Sequence, residues 1–462
     1  MRELTRRDFL RLSVAGATGA IVAGCQPATP QIVEVEKVVK ETVVVEKEVT
    51  VAPKAAEGPA RIRFAAHGDW GWLSVWLARI DEFNAEHEGE IVVAFEHSVG
   101  QIWSKYMTQM AAGIAADVIR WEAKRAPEWM ERGEQLLDLT AYYEADPDMK
   151  AEDYFEILWN DCWYKGKLIQ VPYDTSTVTL WYNRNIFQER GVEFPPSEWD
   201  DPRWTWETFM ETCEKLTFGE GPEKVFGTNF NRWWVYTHPW VWSNGGEIVV
   251  PGTTDVKIDM AETVEAWQFI ADFTSKYNYA PMPDQATEGL SAFFETGRTA
   301  TLITSSSYNR RAELVTKETG LDWDLAPIPS HNGKPTYTRS PNNSIACYAG
   351  TPQPDAAWEF AKFMSSEKCQ AAGGKSIVRA TPSRKAVAMG PFLERTAVNN
   401  WKVQADGLVK HVKVEPRTPY FERFNRELDD GWHEVFDGVK EAEVAVNELK
   451  PRLEAILRGE DI

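Results

Sequence analysis

The stretch Ala60-Arg61-Ile62-Arg63-Phe64-Ala65-Ala66-His67-Gly68-Asp69-Trp70-Gly71, followed by Leu73, Trp76, Leu77, Ile80 and Phe83, decides the fold. Polar and apolar residues alternate from Arg61 to Phe64, the two-residue repeat of a strand. His67-Gly68-Asp69-Trp70-Gly71 reads as a turn. The apolar residues after it recur at three and four positions, which puts them on one face of a helix. Gly89 ends that helix, and 91–95 is the next strand. A helical crossover returns the chain in its original direction, so the two strands lie parallel. The fold class that follows is α/β.

The pattern repeats downstream. The spacing predicts a helix over 101–112, a strand over 116–121 and a helix or turn over 127–133. Thr205 ahead of Glu207 and Thr208 is a capping pattern for a helix over 206–216. Val264, Trp267, Ile270, Ala271 and Phe273 share one face of a helix over 263–277. Strands are expected at 300–303 and 343–349, a helix at 354–364, and an interrupted helical tail over 421–457. Trp76, Trp267 and Trp358 fall on apolar helix faces and are expected in the core. The mosaic predicts two α/β lobes of similar size, with the chain crossing between them more than once.

Upstream, Thr5-Arg6-Arg7-Asp8-Phe9-Leu10 precedes an apolar run over 12–22 and then Val22-Ala23-Gly24-Cys25. The run is too short and too rich in Gly and Ala to span a membrane as a helix. The order is that of a secretory signal. It resembles a twin-arginine export signal ending in a bacterial lipobox. That resemblance implies removal of 1–24, lipidation of Cys25, and anchoring to the outer face of the cell membrane, in the periplasm or at the cell surface. An ordinary cleaved signal with an incidental cysteine is the alternative. Residues 25–60 carry no aromatic side chain that could build a core, and they read as a tether. Val35, Val38, Thr42, Val45 and Val49 also fit a heptad, so a short coiled coil is the other reading.

The chain has 462 residues, 43% of them hydrophobic and 12% aromatic, ample for a large core. Its net charge is -20. Without 1–24 there are 46 basic residues against 68 acidic ones. A nucleic-acid backbone would be repelled, so that class of partner is excluded. Beyond Cys25 only Cys162, Cys213, Cys347 and Cys369 remain, and they could be free thiols or two disulfides. The seven His residues show no metal-ligand spacing. Gly373-Gly374-Lys375-Ser376 imitates the end of a phosphate loop, but Cys369 stands where its first glycine should be. No cofactor or metal is indicated.

A set of short motifs then occurs in a characteristic order. It runs Asp117-Val118; Gly133-Glu134-Gln135-Leu136-Leu137-Asp138-Leu139-Thr140; Tyr164-Lys165-Gly166-Lys167; Val171-Pro172; Leu180-Trp181-Tyr182-Asn183; and Trp204-Thr205-Trp206-Glu207. Asn244-Gly245-Gly246-Glu247, Phe293-Phe294-Glu295-Thr296-Gly297-Arg298 and Ala380-Thr381-Pro382-Ser383-Arg384 complete it. This resembles the extracellular solute-binding proteins of sugar ABC importers, the maltose-binding type. The resemblance implies two lobes joined by three crossings near 171–175, 299–303 and 344–350, with ligand in the cleft. It places the N-lobe at 61–172 and 304–344, and the C-lobe at 173–303 and 345–462. It implies a monomer that carries a carbohydrate to a membrane permease and performs no chemistry.

The residues point to a carbohydrate on their own account. The 21 Trp residues supply flat faces for the C–H surfaces of sugar rings, and neighbouring carboxylates and amides suit the hydroxyls. Asp69, Trp70, Trp121 and Glu122 are expected from one lobe. By the layout the resemblance implies, Asp174, Thr175, Trp233, Trp234, Asn244 and Arg379 are expected from the other, with Asn342 and Asn343 at the third crossing. Where the family often has a stacking Trp after the second crossing, this chain has Thr304-Ser305-Ser306-Ser307-Tyr308. Ser306 and Tyr308 would have to take over. Two alternatives stand beside this reading. One is a binder of a polyamine or phosphorylated polyol; the other is a lipid-anchored polysaccharide-degrading enzyme with a carboxylate pair.

Overall fold

Residues 58–68, 70–282, 285, 289–371, 380–395 and 398–460 are described by the computed structural model. Cys25, the tether as far as 57 with its heptad, Asp69, Arg379 and the 373–376 sequence lie outside the described residues. The chain runs β1 (Ala60–His67), α1 (Trp70–Glu86), β2 (Ile91–Ser98), α2 (Ile102–Ala111), β3 (Val118–Glu122) and α3 (Ala126–Glu131). It continues with β4 (Val171–Thr175), β5 (Val178–Asn183), α4 (Trp206–Leu216), α5 (Ala261–Ser275), β6 (Thr301–Ser305), α6 (Asn309–Thr319) and β7 (Trp323–Ala326). Then follow β8 (Thr338–Arg339), β9 (Asn342–Cys347), α7 (Pro354–Ser365), β10 (Thr381–Pro382), α8 (Lys402–Lys410), β11 (Val412–Lys413), α9 (Phe421–Phe436) and α10 (Ala442–Leu457).

The first sheet has the order β10-β4-β9-β3-β1-β2. β1 is parallel to β2 and β3, whereas β9 is antiparallel to both β3 and β4. Alternation divides its side chains between two layers. Phe64, Val118, Tyr173 and Ile345 pack with Trp76 and Phe83 of α1 and Phe360 of α7. Ala65, Ile119, Trp121 and Ala346 pack on the opposite face with Tyr106 and Met110 of α2 and Trp129 of α3. Leu77 departs from the expected stripe and is exposed.

The second sheet has the order β6-β5-β7, both neighbours antiparallel to β5. Val178, Leu180 and Tyr182 meet Phe209 of α4, Trp267 of α5 and the paired helices α9 and α10. Gly431 allows that pair to approach closely, since a Cβ there would lie 2.6 Å from Leu449 Cδ2. The other face, with Trp181, Leu302 and Leu325, is covered by Ala312 and Val315 of α6 and by Trp401. Thr205 caps α4 as its sequence predicts, accepting from the Thr208 amide while Thr208 accepts from the Thr205 amide. Trp76, Trp267 and Trp358 are buried, as expected.

The two-lobed α/β architecture is therefore present, but the lobe boundaries need correction. Segment 304–339, expected in the first lobe, belongs to the second. Ser305 pairs with Val178, and α6 and β7 pack against β5 and β6. The described residues of 345–388, expected in the second lobe, belong to the first, where Ile345 and Cys347 share a core with Tyr173 and α7. The expected 299–303 crossing instead runs into β6, a strand within the second lobe. The chain crosses between β4 and β5 and between β8 and β9, and again near Phe392, which enters the second core. The physical reason lies in β9, Asn-Asn-Ser-Ile-Ala-Cys. Its change from polar to apolar marks entry into the first sheet, not departure from it.

Candidate functional site

The polar ends of three strands of the first sheet meet beside the crossings. Asn343, the second residue of β9, stands opposite Asp174 near the end of β4 and opposite Glu122 at the end of β3. Asn343 Nδ2 donates to Asp174 Oδ1 at 2.7 Å and reaches Ser176 Oγ at 3.4 Å. Asp174 is buried. Buried polar groups need partners, and this pair joins both strands that lead to the second lobe.

Glu122 sits among cations. Arg125 Nε is 3.3 Å from it, Arg120 Nη1 3.6 Å and Lys124 Nζ 3.7 Å. Burial pushes the Glu122 carboxyl up, but Lys124, Arg125 and Arg120 outweigh it and hold the group well below the usual carboxylate range. Arg125 also pairs with Glu422 of α9 and lies 4.2 Å over the Trp103 ring. Both cations of the Lys124-Arg125 dipeptide therefore meet side chains of the second lobe.

The second lobe answers with Trp233, Tyr236, Arg339 and Glu415. Lys124 Nζ stands 4.9 Å over the half-buried Trp233 ring, and the Arg339 guanidinium lies 5.6 Å from it and 5.5 Å from the Tyr236 ring. The Tyr236 hydroxyl is 3.3 Å from Ser305 Oγ, which is 2.7 Å from Ser307 Oγ. Glu415 pairs with Lys124 at 2.7 Å and Arg339 at 2.6 Å. Burial raises its carboxyl, yet Arg339 and Lys124 prevail and the net shift is downward. The arrangement offers an aromatic face, hydroxyls and an amide-carboxylate pair.

Of the expected residues, Glu122, Asp174, Asn343 and Trp233 come together here. Thr175 and Ser306 lie at the first crossing: Thr175 Oγ1 donates to the Pro341 carbonyl at 3.0 Å, and Ser306 Oγ to the Thr175 carbonyl at 3.1 Å. Five others are corrected. Trp121 faces α2 and α3, edge-on to Trp103 and Trp129, because its position in β3 points into the inner layer. Trp234 is buried, its indole N–H donating to Asn425 at 2.9 Å. Asn244 donates to the Glu262 carbonyl and to Glu265, both at 2.8 Å, within the second lobe. The Tyr308 hydroxyl donates to Glu295 at 2.9 Å and its ring packs on Trp181. Asn342 donates to the Leu158 carbonyl at 2.8 Å. The side-chain donors of Trp234, Asn244, Tyr308 and Asn342 thus serve the fold. Trp70 begins α1, and its side chain is not among those described.

The sequence does not mark Lys124, Arg125, Arg339, Glu415 or Tyr236 as site residues. The one available signal was Glu122-Ala123-Lys124-Arg125, a charged run directly after an apolar strand. Nothing local marks Glu415. Cys162, Cys213, Cys347 and Cys369 are all free and buried. Among the described residues no group of three His, Cys, Asp or Glu could hold a metal ion, and no helix is long and apolar enough to cross a membrane.

Residues 71–371 match the family model of bacterial extracellular solute-binding proteins. The chain belongs to that family. It is 24% identical over 305 residues to the sn-glycerol-3-phosphate-binding periplasmic protein of Agrobacterium fabrum, covering 63% of this chain. The match takes in 61% of that relative, so the chain spans about three-fifths of the length of such curated relatives. Among solved structures, it resembles an ABC substrate-binding protein from Listeria monocytogenes in complex with cycloalternan, with a TM-score of 0.78 and 22% identity over 87% of this chain and 100% of the other. The GacH receptor of Streptomyces glaucescens, studied unliganded and with acarbose, gives 0.73 and 19% over 87% and 100%. At these identities the likeness establishes the shared two-lobed fold.

Proposed function

We propose that this member of the bacterial extracellular solute-binding proteins captures a neutral carbohydrate between its lobes and delivers it to the permease of an ABC importer. One observation carries the reading. The interlobe edge sets the Trp233 ring beside Tyr236, whose hydroxyl meets Ser305 and through it Ser307, while the Asp174–Asn343 pair holds the crossing strands. An aromatic face suits the C–H surface of a sugar, and the polar groups suit its rim. Arg120, Lys124, Arg125 and Arg339 each lie within ion-pair distance of a carboxylate. This internal pairing favours an uncharged ligand over a phosphorylated polyol or a polyamine. The ligand is bound and released unchanged.

The mechanism is closure. The strand crossings, with the passage near Phe392, are thin connections about which two separately cored lobes can rotate. A ligand touching both lobes favours the closed form by the contacts it makes only there. The protein acts as a monomer. It is exported through the twin-arginine-type signal and held at the outer face of the membrane by lipid on Cys25, with 25–60 as tether. Calorimetry against neutral, phosphorylated and amine-bearing solutes tests the ligand class, and scattering with the saturating ligand tests closure. Tight binding of a neutral sugar with a smaller radius of gyration supports the proposal. Preference for a charged solute, or hydrolysis of the sugar, overturns it. Cys25→Ala should release the protein from membranes, and a wild type that carries no lipid removes the anchor.

A further inference from the structure

Lys124 follows β3 in the first lobe and Arg339 lies in β8 of the second, with side chains 4% and 3% exposed. Both stand over the Trp233 ring, at 4.9 and 5.6 Å. Two buried cations from opposite lobes, beside the candidate sugar platform, make a locus for an anion. The anion there belongs to the chain. Glu415, between β11 and α9, gives Oε2 to Lys124 Nζ at 2.7 Å and Oε1 to Arg339 Nη2 at 2.6 Å. The buried Arg339 Nε has no hydrogen-bond partner. Arg339 thus retains donor capacity that Glu415 does not use.

The surroundings do not replace Glu415. Glu122 is 3.7 Å from Lys124, but it also serves Arg120 and Arg125. Without Glu415, Arg339 would lose the only carboxylate recorded beside it among the described residues. An uncompensated buried cation is strongly unfavourable, so an external anion would be drawn in.

We infer that Glu415 is a specificity-determining residue: its carboxylate fills an anion site formed by Lys124 and Arg339 beside Trp233, and so bars phosphate-bearing ligands from a cleft that accepts neutral ones. The inference rests on reading this cleft as the ligand site.

The test compares the wild-type mature chain with Glu415→Ala, Glu415→Gln and Glu415→Ala/Lys124→Gln. The calorimetric probes are inorganic phosphate, glycerol 3-phosphate and a neutral sugar panel. Wild type should bind neither phosphate probe. Glu415→Ala should bind glycerol 3-phosphate at least tenfold more tightly than wild type does, and the added Lys124→Gln should remove most of that gain. The inorganic-phosphate arm shows whether the anion suffices or the ester is needed. Glu415→Gln keeps the side-chain shape, and its melting temperature should rise in phosphate over chloride at equal ionic strength. Should Glu415→Ala fold poorly, that phosphate-dependent rise decides the matter. Wild-type binding of either phosphate probe overturns the inference. So does the lack of any phosphate gain in a folded Glu415 variant. Failure of wild type to bind any neutral sugar would overturn the carbohydrate reading separately, since the phosphate gain is read in other arms.

Discussion

Asn343 Nδ2 lies 2.7 Å from Asp174 Oδ1, across the register that pairs the end of β4 with the start of β9. Both strands lead into the second lobe, so this one hydrogen bond ties two of the interlobe connections together. Asn343→Ala removes a donor from a buried carboxyl. It should cost about 1–3 kcal/mol of stability in urea unfolding, the range for stripping a partner from a buried polar group. Asn343→Asp should cost more at neutral pH than in mild acid, because two adjacent carboxylates repel. Equal losses for both variants at every pH would contradict the arrangement.

Trp233 and Trp234 are neighbours with different duties. Trp233 is half-buried beneath two cations, and Trp234 is fully buried and bonded to Asn425. Trp233→Ala should weaken sugar binding by about 1–3 kcal/mol, the scale for losing a large apolar contact, and leave the melting temperature nearly unchanged. Trp234→Ala should lower stability by about 3–5 kcal/mol, the cost of a large core cavity. Calorimetry and thermal melts on both variants check the division of labour.

Acid should destabilise the protein through two kinds of group. The Glu122 and Glu415 carboxyls are depressed in the folded state by their cationic neighbours, after burial opposes the shift. Their stabilisation is present above the ordinary carboxylate range and is lost as pH falls through the folded values. Burial depresses His238 to about 3, with the Glu415 charge opposing. Its folded form refuses a proton that the unfolded form accepts below about 6.5. Stability should therefore begin to fall below about pH 6.5, before the carboxylates contribute. His238→Phe should flatten that first decline. Urea midpoints from pH 7 to 4 measure it, and an unchanged slope would assign the decline elsewhere.

The four described cysteines are buried thiols, and burial pushes the pKa of each up, Cys369 to about 12. Thiol reagents should find none of them in the native protein and all four after denaturation. Reductant should leave the melting temperature unchanged. A drop on reduction would reveal a disulfide.

The β1–α1–β2 unit was legible because its periods, two and then three to four, follow from which side chains must be buried. The Thr205 cap and the core roles of Trp76, Trp267 and Trp358 were legible for the same reason. Lobe membership was not. It depends on which sheet β6 and β9 join, and strand pairing across long separations leaves no local signal. The site was half legible. Glu122, Asp174 and Asn343 stand at strand ends that a sequence can locate. Trp121 was misread because one step along β3 turns a side chain from the cleft into the inner layer. The Lys124–Glu415–Arg339 triad was invisible, since its members meet only when both lobes are in place.

The proposed function has a neutral saccharide held intact between the lobes. Mass spectrometry of the ligand retained by the mature protein through native purification tests it most directly. The expected spectrum shows one intact, uncharged mono- or oligosaccharide per chain, lost on mild unfolding. A phosphate ester, a polyamine or a hydrolysed sugar in its place would contradict the account.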